Sequence, residues 1–206
     1  MRTQSLAGLL SALIVFASAD LAPAQQVSSS DPASVKAGTY KIEPYHTQAE
    51  FSVSHFGFTN FFGVFSGASG SLVLDPAKPA ASRLEVSIPI QSVQTTIAPL
   101  DDQLKGDKWF DAAKFPTATF TSTKVVLSGR DSAVIAGNLT LHGVTKPITL
   151  KAHFIGAGVN PLDKSFTAGF EAAGTIKRSD FGVSTYAPLI GDDVRLTIAG
   201  AFVLQS

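Results

Sequence analysis

Residues 137–150 read G-N-L-T-L-H-G-V-T-K-P-I-T-L, and this pattern limits the possible folds more than any other stretch. Leu139 and Leu141 alternate with Asn138, Thr140 and His142; beyond Gly143, Ile148 and Leu150 alternate with Thr149 and Lys151. Two alternating runs hinged on a glycine predict an antiparallel hairpin with one dry face and one wet face. The same grammar returns along the chain. Phe51, Val53 and His55 share a phase, as do Leu84, Val86, Ile88 and Ile90. Phe166, Ala168, Phe170, Ala172, Gly174 and Ile176 hold one phase for eleven residues, and Val194, Leu196, Ile198, Phe202 and Leu204 follow suit. Thr117 to Leu127 reads as a further extended segment anchored by Phe120.

Only residues 97–116 break the pattern. Pro99 can open a helix because its missing N–H costs nothing in the first turn. Asp101 and Asp102 suit the helix dipole there, so one short helix is expected near residues 99–108. No long helices alternate with strands, which argues against a parallel α/β sheet. About eight antiparallel strands must then pack as a sandwich or close into a barrel, and only closure removes exposed edges. An all-β, eight-stranded antiparallel barrel with one short inserted helix is the expected fold class. Gly63, Gly67, Gly70, Gly169 and Gly174 are expected to bend its strands and to leave room in the lumen.

Composition narrows the function. Charged residues make up 16% of the 206, below the usual quarter, and Lys+Arg equals Asp+Glu at 16 each. No basic patch points to nucleic acid. Fifteen Phe against three Tyr and one Trp supply apolar area without polar handles, which suits a greasy interior. At the N-terminus, Arg2 precedes an apolar run over residues 6–16, too short to span a bilayer. Ala17-Ser18-Ala19 and Ala22-Pro23-Ala24 then offer small-x-small cleavage sites. Residues 1–24 are thus expected to be a secretory signal peptide, and the protein periplasmic or secreted. Residues 25–37 lack period and are expected to form a flexible leader, with one domain over residues 38–206. There is no cysteine, hence no disulfide framework.

Catalytic and metal motifs fail one by one. His46, His55, His142 and His153 show no zinc spacing. Asp180-Phe181-Gly182 stands without the other kinase segments, and Gly67-Ala68-Ser69-Gly70 lacks the spacing of a nucleophile elbow. Asp192-Asp193 lacks the further ligands of a calcium loop. No catalytic residue, metal site or cofactor is expected.

Several ordered stretches resemble the YceI-like family of bacterial polyisoprenoid-binding, lipocalin-like proteins. They are Tyr40-Lys41-Ile42-Glu43-Pro44-Tyr45-His46, Phe51-Ser52-Val53-Ser54-His55-Phe56-Gly57, Phe65-Ser66-Gly67 and Trp109-Phe110-Asp111 leading to Phe115-Pro116. The most specific are the run from Gly137 to Thr145 and Ile176-Lys177-Arg178-Ser179-Asp180-Phe181-Gly182, closed by Gly191-Asp192-Asp193-Val194. One departure stands out. The family's Arg-Asp-x-His-Leu pattern in the helix is here Leu100-Asp101-Asp102-Gln103-Leu104-Lys105, without that Arg or His.

The resemblance implies a lipocalin-like barrel and a non-enzymatic carrier of a polyisoprenoid or isoprenoid quinone, with no nucleic-acid partner; a homodimer is compatible with it. The alternative is a structural or stress-related interaction protein whose lumen is filled by its own side chains. For a chain of ~40 carbons, burial at ~0.8 kcal/mol per methylene grosses ~30 kcal/mol. Nanomolar binding needs only ~12 kcal/mol, so a lumen could hold the tail without a headgroup contact. The expected lining is Phe51, Val53, His55, Val86, Ile88, Phe120, Leu139, Phe154, Phe170, Ile176 and Ile198, the apolar phase of each strand.

Overall fold

The computed structural model of the chain describes residues 27–205. The expected signal peptide therefore lies outside the described residues. In chain order the strands are β1 (Ser28–Ser29), β2 (Gly38–Ile42), β3 (Gln48–His55), β4 (Thr59–Phe65), β5 (Ser69–Leu74), β6 (Arg83–Pro89), β7 (Thr117–Leu127), β8 (Ser132–Leu141), β9 (Val144–Val159), β10 (Phe166–Lys177) and β11 (Ile190–Leu204). The helix α1 (Ala98–Lys105) lies between β6 and β7.

Every pairing is antiparallel, and the order β2-β5-β6-β7-β8-β9-β10-β11 returns to β2. This is a closed barrel of eight strands. Two staves of it are broken. The long β11 pairs with β2 through Phe202–Leu204 and with β3 through its other half, so β2 and β3 act as one interrupted strand. Likewise β4 pairs β3 and β5 pairs β2, with the break at Ser66-Gly67-Ala68. The expected bend in the Gly-rich segment is therefore present, at Gly67 with φ 69.

Local chemistry explains the turns. His142 (φ 51) and Gly143 (φ 73) are both left-handed between β8 and β9. That is the two-residue primed turn whose twist matches the flanking strands. Helix α1 begins slightly earlier than expected, with Pro99 in its first turn. Asp101, expected only to favour the helix dipole, also accepts hydrogen bonds from the Thr95 amide (2.7 Å) and hydroxyl (2.6 Å), tying the helix to its approach. Leu104 packs against Phe51, Val93, Trp109 and Val183 at one end of the barrel.

Residues 27–37 lie along the other end. β1 pairs with Ala157 and Gly158 beyond the end of β8, a 3₁₀ turn follows at Pro32–Ser34, and Val35 is buried beside Tyr40 and Phe154. The stretch expected to be a loose leader thus contributes one apolar side chain to the core. Asp31 meets Arg130 at 3.0 Å.

Candidate functional site: an apolar lumen

A strand sends alternate side chains to opposite faces, so a closed barrel gathers one phase of every strand inside. Here that interior keeps a cavity of about 1100 Å³ running the length of the barrel. It reaches from His55, Ile97 and Tyr186 at one end to Asp31, Pro79 and Arg130 at the other. Its volume exceeds the ~300–1,000 Å³ of ordinary small-molecule pockets. Phe51, Val53, His55, Val86, Ile88, Phe120, Leu139, Phe154, Phe170, Ile176 and Ile198 all line it. Phe154, Phe170 and Phe202 form an aromatic ladder with ring centroids 5.5 and 5.8 Å apart. Nearer α1, Phe65 contacts Phe51 and Phe110 at 5.7 and 5.5 Å.

Three of the five glycines, Gly63, Gly70 and Gly174, do not leave room as expected. A Cβ on Gly63 would stand 2.3 Å from the Phe51 ring, and one on Gly174 would stand 2.8 Å from Leu150. At Gly70 it would meet the Glu85 carbonyl at 2.0 Å, and at Gly169 it would stand in ordinary contact with the Gly156 carbonyl. At Gly63, Gly70 and Gly174, neighbouring side chains and backbone occupy the space that the missing Cβ opens.

Several lining residues escaped the sequence reading. Val125 and Leu127 face inward although Phe120 and Ala118 hold the other parity. The β7–β8 register shifts between Ser122 and Lys124, and one extra residue at a bulge reverses the phase. Leu72, Leu84, Leu150 and Phe202 were legible by phase. Trp109 and Leu104 come from the helical insert, where strand alternation gives no guide. Glu171 also borders the cavity, beside the shift that β10 makes against β9 between Gly169 and Phe170.

Among the described residues, Arg178 is the one buried cation of the wall, 5% exposed. Its Nε donates to the Gly191 carbonyl (2.8 Å), Nη1 to Val183 (2.8 Å) and Thr185 (3.0 Å), and Nη2 to Ile190 (2.8 Å). It fastens the loop of residues 182–190 to the barrel end. Burial lowers its pKa and the nearby Asp192 carboxylate opposes this; a guanidinium in a protein is charged in either case. Asp192 in turn accepts from the Ser179 amide (2.9 Å) and hydroxyl (2.8 Å). The remaining histidines lie apart. His46 sits on Glu43, His153 near Asp131, and His142 Nδ1 donates to the Phe181 carbonyl. Among the described residues no three His, Asp or Glu side chains gather as a metal-binding group.

The YceI-like domain matches residues 40–202. The chain belongs to the YceI-like family. A UPF0312 protein of Pseudomonas aeruginosa is 41% identical over 165 residues, 79% of this chain and 85% of its own length. The YCEI protein of Campylobacter jejuni shares the fold with TM-score 0.65 at 34% identity, covering 74% of this chain and 90% of that one. A polyisoprenoid binding domain from Saccharophagus degradans, at 16% identity, matches with TM-score 0.61 over 81% of this chain and 98% of that domain. The expected YceI-like barrel is thus the observed one.

Proposed function

We propose that this YceI-like protein is an extracytoplasmic, non-enzymatic carrier that holds a long apolar lipid, a polyisoprenoid or an isoprenoid quinone, in its lumen. The observation that carries this reading is the apolar cavity of about 1100 Å³ left after the barrel's own Phe side chains are in place. A barrel filled by its own residues, the alternative, would leave no such space. The fold shared with the Saccharophagus degradans polyisoprenoid binding domain supports the ligand class, and the signal-peptide pattern of residues 1–24 supports export.

Ile88 lines the cavity, whereas its neighbour Ser87 lies on the opposite face of β6. Delipidated protein should bind a long-chain isoprenoid quinone. Ile88→Asp should abolish binding, because a charge in an apolar lumen loses hydration without gaining a partner. Ser87→Asp should keep it. Equal binding by the two variants, both shown to be folded by near-ultraviolet circular dichroism, would refute a lumen site.

A further inference from the structure

The two ends of the barrel differ in chemistry. At the end closed by residues 27–37, every loop carries charge of both signs: Asp75 and Lys78, Arg130 and Asp131, Asp163 and Lys164. At the other end, α1 and the turn after it carry Asp101, Asp102, Lys105, Asp107 and Lys108, but three neighbouring stretches contain no Asp, Glu, Lys or Arg: residues 54–62, 95–100 and 182–190. They are joined in space. Ile190 pairs with His55, the Phe56 amide donates to the Leu189 carbonyl at 3.0 Å, and Tyr186 contacts Trp109 beside α1.

These stretches expose large apolar side chains. Phe58 is 90% exposed, and Phe56, Phe62, Ile97, Tyr186 and Leu189 are all at least 48% exposed. Phe56 (φ 53) and Tyr186 (φ 58) hold left-handed backbone that bulky residues rarely adopt. The fold tolerates this twice, in two aromatic residues of one rim. The rim is also continuous with the cavity, since His55, Phe61, Ile97, Tyr186 and Ile190 line the cavity mouth between these segments.

We propose that this rim is a bilayer-docking surface, with Phe56, Phe58, Tyr186 and Leu189 inserted at the headgroup level and the cavity mouth turned toward the acyl chains. Aromatic side chains favour that interfacial layer. A lipid could then pass between bilayer and lumen without crossing water. The purpose of docking rests on the carrier reading; the docking itself does not. Because the three stretches carry no fixed charge, attachment is by apolar insertion. It should therefore depend on neither anionic lipid nor salt, unlike a polybasic surface.

The test is flotation of the mature protein with phosphatidylcholine vesicles, with and without phosphatidylglycerol, at low and high salt. The wild type should float equally in all four conditions. Phe58→Asp and Leu189→Asp should each reduce the bound fraction on the order of ten-fold or more. Phe58 and Leu189 are largely exposed, so the variants should keep the native circular-dichroism spectrum. As a positional check, Phe58→Trp should be quenched by brominated phosphatidylcholine, whereas the sole native tryptophan, Trp109, is buried. Failure of the wild type to float, or flotation unaffected by both Asp variants, would overturn the proposal. So would a self-associated form that Phe58→Asp dissociates without any vesicle binding, which would make the rim a contact between copies. Lipid found in the lumen of a protein that does not float would overturn docking and leave the carrier reading standing. Flotation of a protein whose lumen binds no lipid would support docking and refute the carrier.

Discussion

The ring of Phe51 occupies the space beside Gly63: a Cβ there would lie 2.3 Å from Phe51 Cζ and 3.1 Å from the Gln94 carbonyl oxygen. The glycine is a seat for a lining aromatic. Phe51 in turn packs with Val93, Leu104, Trp109 and Val183 at the helix end of the barrel. Gly63→Ala should therefore cost about 1–3 kcal/mol, the usual range for overpacking a well-packed site. Urea denaturation checks this, and an unchanged midpoint would show that Phe51 can move aside freely.

Arg178 spends Nε and both terminal nitrogens on four backbone carbonyls of the rim and β11. Arg178→Met would take this donor from the buried Val183 carbonyl and from the part-buried Thr185, Ile190 and Gly191 carbonyls, at ~1–3 kcal/mol for each that water cannot reach. A loss of about 1–3 kcal/mol is expected from the buried Val183 acceptor alone. Arg178→Lys should recover little, since a single ammonium cannot reproduce the planar fork. Thermal unfolding of the two variants distinguishes this riveting role from a purely electrostatic one, in which the lysine variant would be nearly native.

Charge at the opposite end should matter much less than packing. The Asp31–Arg130 pair is exposed, so Asp31→Asn should change stability by no more than ~1 kcal/mol. Val35 is buried beside Tyr40 and Phe154, and Val35→Asp should cost several times as much, because the carboxylate would lose its hydration unpaired. Equal denaturation midpoints for the two variants would mean that residues 27–37 do not pack on the barrel.

Glu43 and Asp192 have carboxyls held below their ordinary values. Burial pushes each up, but hydrogen bonds from the Tyr45 and His46 backbone, and from Ser179, outweigh it. A carboxylate whose folded pKa is depressed stabilises the fold above its unfolded value and loses that contribution as pH falls through the folded one. Stability should thus be flat near neutrality and decline below the ordinary carboxylate range. Asp192→Asn should weaken that acid dependence, as measured by melting temperature against pH.

How much of this was legible in the sequence follows from the pleat. Where a strand keeps its register, as from Leu84 to Ile88, the phase of apolar residues marks the lumen side directly. Where a bulge intervenes, as between Ser122 and Lys124, the phase reverses, and Val125 and Leu127 pass unnoticed. Closure itself is a non-local property. Nothing in β11 alone says that it pairs with β2, β3 and β10 together. The seating of Phe51 on Gly63 is equally invisible, because glycine reads as empty space until its neighbour across the ladder is known.

Mass spectrometry of lipid extracted from the purified protein decides whether the lumen holds a long isoprenoid chain, as proposed. A polyisoprenoid or isoprenoid quinone should be recovered in near-stoichiometric amount from the wild type and lost from folded Ile88→Asp. Wild-type protein that yields no lipid, and that takes up none when delipidated and offered an isoprenoid quinone, would contradict it.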